Sequence, residues 1–475
     1  MEKNNGDGSE ETGLRRVLSV QTATLLVAGT MIGAGVFKKI VPMAATGLSQ
    51  AYILLAWITA GTVTLLGAFT FAGLSKLTTA SGGAYEYLRI CFNSMIAFLL
   101  GWGCFAIIGS GAIAALAFIF AQSINALIAI PDPMHQWSNI SIAHFISPFS
   151  DSGIKIIAVL SILLLTWYNY LGVKKATGLN NVITGAKISG ILFLMIAGFF
   201  FSNKPAIVLA GNGNLPAHAP SLTIFFGALL SAFWAYDGFS NVSAATGEIK
   251  NPKKNVAIAI VAGVCIVMIL YVLTNYAYMR TIPVTQLAML GENKIAATEV
   301  AGLILGNTGR VLISLLIILS TFGALNVLIL LYSRLYYRMA QENVFFKSAA
   351  RVHPVHRTPH FALLYSMIWS CVLVLSGTFD ILTNIVVFSA FTFYTLLAIG
   401  LIKAKKQKLL TEKVSFFPVA PILFILVTLI FLVNTLLTNT RQTVAGIILV
   451  ASGVPFYYFF KYKGKKNKAT STHIR

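Results

Sequence analysis

Twelve long apolar stretches constrain this chain more than any other feature. Each could cross a hydrocarbon core about 30 Å thick, which takes about 20 helical residues. Only 10% of the residues are charged, against about 25% in soluble domains. The short alternating segments of a membrane β-barrel are absent from the sequence. We therefore predict an all-α membrane protein with twelve transmembrane helices. The predicted spans are residues 17–46, 50–76, 88–127, 153–172, 178–202, 221–246, 255–280, 297–333, 359–376, 379–402, 417–436 and 442–460.

The basic residues are unevenly distributed between the two sides of the predicted membrane. With a cytoplasmic N-terminus, 26 of the 35 lysines and arginines fall on the inner side and 8 on the outer side, where Lys38 and Lys39 are counted. This bias indicates that both termini are cytoplasmic. The net charge is +21, and we expect the basic C-terminal tail to contact anionic lipid headgroups. We expect the lipid bilayer, and not nucleic acid, as the partner of this charge.

The predicted domain organisation is simple. A transmembrane domain, residues 17–460, is predicted between a disordered cytoplasmic tail (1–16) and a basic cytoplasmic tail (461–475). The four cysteines lack metal-ligand spacing, and no nucleophile–base pair stands out. We expect no cofactor, no metal site and no enzymatic activity.

The first and sixth apolar stretches are interrupted near their middles. The first contains GTMIGAGVF at 29–37, and the sixth contains WAYDGFSN at 234–241. Each is the first of a set of five spans, and the two sets cover about 17–202 and 221–402. Because five is an odd number, the second set crosses the membrane with inverted topology. Discontinuous helices at matching positions of inverted repeats mark the binding site of many transporters. The last two spans, within 417–460, lie outside the repeats.

Glycine explains why the first stretch should break. It costs about 1 kcal/mol in a helix relative to alanine, and unwound backbone at membrane depth is tolerated only where it lines a cavity or is buried in protein. Amides that begin the second half-helix favour an anion, whereas carbonyls that end the first half accept from a cation. An α-amino acid carries both charges. Close packing of small residues remains the alternative explanation.

Two charged residues fall inside predicted spans. Lys187 lies about 14 Å along the fifth span, at 1.5 Å per residue, and Asp237 lies at the break of the sixth. Charges at this depth mark functional pathways by default. Lys187 is predicted to supply a tethered cation where a related carrier would bind sodium, with proton coupling as an open possibility. Asp237 has three alternatives: an ion pair with Lys187, contact with a substrate ammonium, or a structural role at the break.

A series of short motifs along the chain resembles, in its order, the amino acid–polyamine–organocation (APC) superfamily, and within it the L-type amino acid transporter branch. The resemblance covers nearly the full chain. It is carried by GTMIGAGVF at 29–37, SGGAYEY at 81–87, NYLGVK at 169–174, TGAK at 184–187, WAYDG at 234–238, EIKNP at 248–252, GALN at 323–326 and SR at 333–334.

The resemblance implies a LeuT-like fold: a 5+5 inverted repeat with broken helices 1 and 6. It also implies which residues meet the substrate and which gate it. The implied substrate-binding residues are Thr30, Met31, Ile32, Gly33, Ala34, Gly35, Phe233, Trp234, Ala235, Tyr236 and Asp237. The substrate carboxylate is expected on the amides of residues 32–35, and the amine on the carbonyls of Thr30 and of residues 233–236. Lys187 takes the sodium-site position, and Trp234, Tyr236 and Phe239 are the expected gates.

The main functional expectation is sodium-independent exchange of small or medium neutral L-amino acids by alternating access. Alternatives are a basic amino acid or polyamine antiporter, a proton-coupled amino acid symporter, and a non-transporting amino-acid sensor. Phe239 stands where many L-type members have tryptophan. The 128–152 loop contains no cysteine, so no disulfide-linked ancillary subunit is expected, as in a bacterial inner-membrane carrier. Ser110, Asn326 and Ser389 are candidates for the side-chain pocket.

Overall fold

The computed structural model describes most of the chain. The described ranges are residues 18–78, 83–142, 146–172, 176–200, 221–291 and 293–472. The predicted tail at 1–16, the start of the SGGAYEY motif and the last residues of the NYLGVK motif lie outside these ranges.

The described residues form helices, with strand pairing limited to two isolated bridges, Leu18 with Ile249 and Ile142 with Ile146. The α-helices, in chain order, are α1 Val20–Met31, α2 Gly35–Lys38, α3 Ile40–Ala45, α4 Gln50–Leu74, α5 Gly83–Cys91, α6 Ser94–Gly103, α7 Gly109–Asn125, α8 Ser152–Tyr170, α9 Ala176–Phe200, α10 Leu222–Tyr236, α11 Pro252–Thr281, α12 Val284–Ala288, α13 Ala296–Gln341, α14 His360–Ser376, α15 Phe379–Lys406, α16 Val419–Thr438, α17 Thr440–Ala451 and α18 Gly453–Thr472.

Nine helical segments among the described residues are long and apolar enough to cross a membrane. Three shorter apolar helices accompany them, at Val20–Met31, Gly185–Phe200 and His360–Ser376. This confirms the predicted class, an all-helical membrane protein.

The first apolar stretch is broken where the glycines predict. The Ser19 hydroxyl caps α1 by accepting the Thr22 amide at 3.2 Å. The helix ends at Met31, the next three residues form bends, and helical backbone resumes at Gly35. Because Lys39 keeps right-handed helical dihedrals, α2 and α3 form one nearly continuous second half.

The sixth stretch is broken in the same way. Helix α10 ends at Tyr236, Asp237 is extended, and Gly238 has φ +100°. That conformation favours glycine over residues with a side chain. A 3₁₀ helix, Asn241–Glu248, follows the break, and α11 then begins with Pro252 in its first turn.

Two predicted spans are corrected at their ends. The third begins at Ser94 and not at residue 88, because Asn93 caps α6 by accepting the Ile96 amide at 3.0 Å and separates it from α5. It continues through a π-helical turn, Cys104–Ile108, into α7. The eighth extends to Gln341. Gly306, at φ +63° and ψ −149°, divides it into a short N-terminal piece and a long C-terminal one.

The helices that carry the breaks pack on the same neighbours. Helix α1 lies against α11, and α10 lies against α4, which also contacts α11. On the other side, α7 contacts α8, α13, α14 and α15. The two interrupted segments are therefore surrounded by long helices, which keeps their unwound backbone inside protein.

Candidate functional site

The two breaks are in direct contact. A Cβ atom added to Gly35 would lie 2.4 Å from the Ala235 Cα, and one added to Gly238 would lie 2.9 Å from the Thr30 carbonyl oxygen. The Thr30 hydroxyl donates to the Gly238 carbonyl at 3.1 Å. Backbone meets backbone here, so these two glycines are required for the approach.

A buried tyrosine that the sequence analysis did not single out joins both breaks. The Tyr271 hydroxyl, on α11, lies 2.7 Å from the Met31 carbonyl and 3.1 Å from the Ala235 carbonyl. Both carbonyls end a half-helix and lack a helical donor. One hydroxyl proton therefore serves two freed acceptors, and it supports the breaks in one relative position.

The amides after the first break differ from the expectation at one residue. The Ile32 amide donates to the Ala28 carbonyl at 2.8 Å, as the last bond of α1. It is therefore engaged within the helix, which corrects its expected place in the anion site. Gly33, Ala34 and Gly35 remain at the start of the second half-helix, where amides have no intrahelical acceptor.

Lys187 reaches the first break. Its side chain is only 3% exposed, and its ammonium donates to the Ile32 carbonyl at 3.3 Å. The long side chain thus brings a positive charge from α9 to the end of α1. Lys187 and Asp237 form no ion pair in the described structure.

Asp237 instead pairs with a tyrosine. The Tyr394 hydroxyl on α15 donates to the Asp237 carboxylate at 2.7 Å, and it also lies 3.3 Å from the Ser240 hydroxyl. The carboxylate is partly buried at the bend of the sixth segment. Of the three alternatives, the ion pair with Lys187 is wrong. Contact with a substrate ammonium and a structural role both remain.

The aromatic residues of the sixth segment occupy different surroundings. Phe233 packs on Phe391 at a ring distance of 4.3 Å, and the Tyr236 hydroxyl donates to the Trp57 carbonyl at 3.1 Å. Phe239 is buried against Phe71 and Tyr394. Trp234 is partly exposed, with its ring at right angles to Phe379, 6.1 Å away.

The candidates for a side-chain pocket have other neighbours. Asn326 accepts a hydrogen bond from the Asn169 side chain on α8 at 2.7 Å. Ser389 faces Gly446 on α17, and Ser110 is fully buried on α7. None of the three has a described hydrogen bond to either break.

A buried polar network at the second half of the first segment was not predicted. Lys39 pairs with Asp380 at 2.6 Å and donates to Thr383 at 2.7 Å, while Lys38 donates to Gln122 at 2.6 Å. Both lysines are at most 1% exposed, which corrects their count among the charges of the outer side. Their ammonium groups also lie 4.7 and 4.6 Å from the centre of the Phe379 ring.

The described residues contain no group of three or more His, Cys, Asp or Glu side chains able to hold a metal ion. The polar groups at the two breaks are backbone amides and carbonyls, the Lys187 ammonium, the Asp237 carboxylate and the hydroxyls of Tyr271 and Tyr394. Discontinuous helices that meet inside a membrane protein, with their half-helix ends exposed to each other, define the class of secondary transporters.

Comparison with known proteins agrees with this class. Residues 18–459 match the family model described as Amino acid permease, and the chain belongs to this family, within the APC superfamily. Members of the family are transporters.

Individual relatives match nearly end to end. The chain is 29% identical to the Serine/threonine exchanger SteT of Bacillus subtilis (strain 168), covering 95% of this chain and 98% of that protein. It is 26% identical to the human Large neutral amino acids transporter small subunit 2, covering 99% and 85% of the two chains. Identity to the human b(0,+)-type amino acid transporter 1 is 25%, covering 94% and 88%.

Proposed function

We propose that this protein is a sodium-independent exchanger of small or medium neutral L-amino acids, working by alternating access. The observation that carries the proposal is the contact between the two breaks, with the Lys187 ammonium on the Ile32 carbonyl. A tethered ammonium supplies, without sodium, the positive charge that such a break attracts. The relatives named for serine/threonine exchange and for large neutral amino acids support the substrate class.

The proposed substrate pose follows from which backbone groups already have partners. The carboxylate binds the amides of Gly33, Ala34 and Gly35. The Met31 and Ala235 carbonyls are engaged by Tyr271. The Trp234 carbonyl accepts the Asp237 amide, so the substrate amine binds the carbonyls of Thr30 and Phe233. Trp234, the partly exposed ring of the group, is the proposed gate above this pose.

The proposed architecture has twelve membrane crossings in a LeuT-like 5+5 inverted repeat, followed by two further helices. Nine segments and three shorter apolar helices supply these crossings. We place both termini in the cytoplasm because the basic residues of the connections concentrate on that side. The membrane is proposed to be a bacterial inner membrane. With no cysteine at 128–152, the carrier is proposed to work without a disulfide-linked subunit.

A second candidate function is exchange of basic amino acids or polyamines. Asp237 favours it, because a partly buried carboxylate at the break offers a counter-charge to a substrate side-chain cation.

Counterflow in proteoliposomes tests both candidate functions. Vesicles containing purified protein are preloaded with serine, leucine, arginine or putrescine, and uptake of labelled serine is followed with and without sodium and a pH gradient. The proposal expects uptake driven by internal neutral amino acids and unchanged by sodium. Uptake only with internal arginine or putrescine would favour the second function, and strict sodium dependence would contradict the first.

A further inference from the structure

A groove lies away from the breaks, at the ends of α4 and α11 that the proposed topology places at the cytoplasmic surface. Its volume is about 330 Å³, room for about ten waters at about 30 Å³ each. Small residues make the hollow: Ala72 and Gly73 on α4, and Ala257 and Ala262 on α11. No residue of the candidate site lines it.

The groove is polar at one end only. Its charged lining residue is Lys76, two residues past the end of α4, and Ser415 lies at the same rim. From Lys76 to Phe69 the lining becomes apolar, over seven residues or about 10 Å at 1.5 Å per residue. A charged rim above an apolar trough matches an amphiphile whose head carries negative charge.

The Lys76 ammonium is positioned to receive such a head. It donates to the Lys413 carbonyl at 2.6 Å, and an ammonium carries three N–H donors. Two donors therefore remain for phosphate oxygens. The Lys413 bond places the ammonium at the rim of the groove.

The third wall of the groove is the connection between α15 and α16. Val414 lies against Gly73, where an added Cβ would approach its side chain to 2.8 Å. Phe416 has φ +55° and places its ring 4.6 Å from that of Phe69. A non-glycine residue in this conformation costs about 1–3 kcal/mol, so the connection is held against α4 by these contacts.

We infer that this groove is a binding site for an anionic phospholipid of the inner leaflet. One acyl chain lies between α4 and α11, and the phosphate group binds Lys76. The inference concerns lipid and not substrate, and it uses the proposed orientation of the helices only to choose the leaflet.

Native mass spectrometry of the delipidated full-length protein tests it, with phosphatidylglycerol and phosphatidylcholine titrated separately. Wild type is expected to bind phosphatidylglycerol about tenfold more tightly, a difference of about 1.4 kcal/mol, because the trimethylammonium of phosphatidylcholine offsets the phosphate charge that attracts the Lys76 ammonium. Lys76→Gln should remove this preference. Lys403→Gln is the matched control: it removes a cytoplasmic-side charge that lies over Phe92, outside the groove lining, and should keep the preference.

A second variant tests the apolar part of the groove. Ala262→Leu fills the trough without changing charge, and it should weaken both lipids. Equal binding of the two lipids by wild type, an unchanged preference in Lys76→Gln, or unchanged binding by Ala262→Leu would each overturn the inference. Serine counterflow is measured on the same preparations, so that failure of the lipid site and failure of the proposed exchange are separate results.

Discussion

A single ammonium group is the most consequential side chain at the candidate site. Lys187 is buried and donates to a carbonyl freed by the first break. Lys187→Ala removes that charge but leaves the helices packed. We expect counterflow to fall at least tenfold while the protein elutes as wild type in size-exclusion chromatography. Full activity in this variant would remove Lys187 from the mechanism.

Asp237 offers a sharper test of specificity. If its carboxylate meets a cationic substrate, Asp237→Asn should lower the competition by arginine against serine uptake about tenfold or more, since charged hydrogen bonds contribute about 1.5–3 kcal/mol. Tyr394→Phe is the matched variant: it removes the 2.7 Å bond and keeps the charge. Competition by arginine that is unchanged in Asp237→Asn would indicate a structural role.

The sequence identified individual site residues where a residue type is rare among its neighbours in the chain. A lysine and an aspartate inside apolar stretches attract attention, and Lys187 lies at the predicted break. Tyr271 was missed because a tyrosine in an apolar helix is ordinary. Its two partners lie 240 and 36 residues away in sequence, so only the fold identifies it. The same holds for Lys39 and Asp380, which are 341 residues apart.

At the scale of elements, the pair Lys39–Asp380 ties the junction of α2 and α3 to α15. Removing one partner of a buried ion pair costs about 3–5 kcal/mol. Lys39→Gln should therefore lower the Tm clearly, whereas Lys294→Gln, whose 62% exposed side chain pairs with Glu299 at 3.5 Å, should change it little. Similar Tm values for both variants would contradict the assignment.

The connection between α13 and α14 provides a pH-dependent element. The His353 Nδ1 accepts the amides of Val355 and His356, so its Nε2 carries the proton and donates to the Tyr170 hydroxyl at 3.1 Å. Desolvation, together with the neighbouring His356 and His360, lowers the pKa of His353 below 6.5. As pH falls, His353 therefore binds a proton at a higher pH in the unfolded loop than in the folded loop.

The contribution of neutral His353 to the stability of the folded loop is fully present above about pH 6.5. It is lost as pH falls through the lowered pKa of His353. We expect amide hydrogen exchange at residues 352–358, corrected for intrinsic rates, to accelerate on acidification to about pH 5.5. His353→Asn keeps an acceptor oxygen but cannot titrate, so it should remove the pH dependence. Equal acceleration in that variant would exclude His353 as the titrating group.

The sequence predicted some helix boundaries correctly and others less accurately. The glycine cluster at 29–35 predicted the first break, because the energetic cost of glycine in a helix is local, and the polar interruption at 236–241 predicted the second at the matching position. The start of the third segment and the end of the eighth were less accurate. The third starts after the Asn93 cap and the eighth continues to Gln341, and apolar length alone predicts neither boundary.

At the scale of the whole molecule, the account depends on two breaks, about 200 residues apart in sequence, meeting at one place. Hydropathy predicted the membrane class and the matching positions of the breaks. It did not predict that backbone would touch backbone at Gly35 and Ala235, which requires the packing of α1, α4, α10 and α11.

The most direct measurement of this claim is equilibrium binding of radiolabelled serine to purified Gly35→Ala protein. The added methyl would lie 2.4 Å from the Ala235 Cα, whereas a Cβ at Gly227 on α10 meets nothing within 4 Å. The account predicts that Gly35→Ala binds serine at least tenfold more weakly and that Gly227→Ala binds like wild type, with both proteins monodisperse. Wild-type affinity in Gly35→Ala would contradict a substrate site built from the contact of the two breaks.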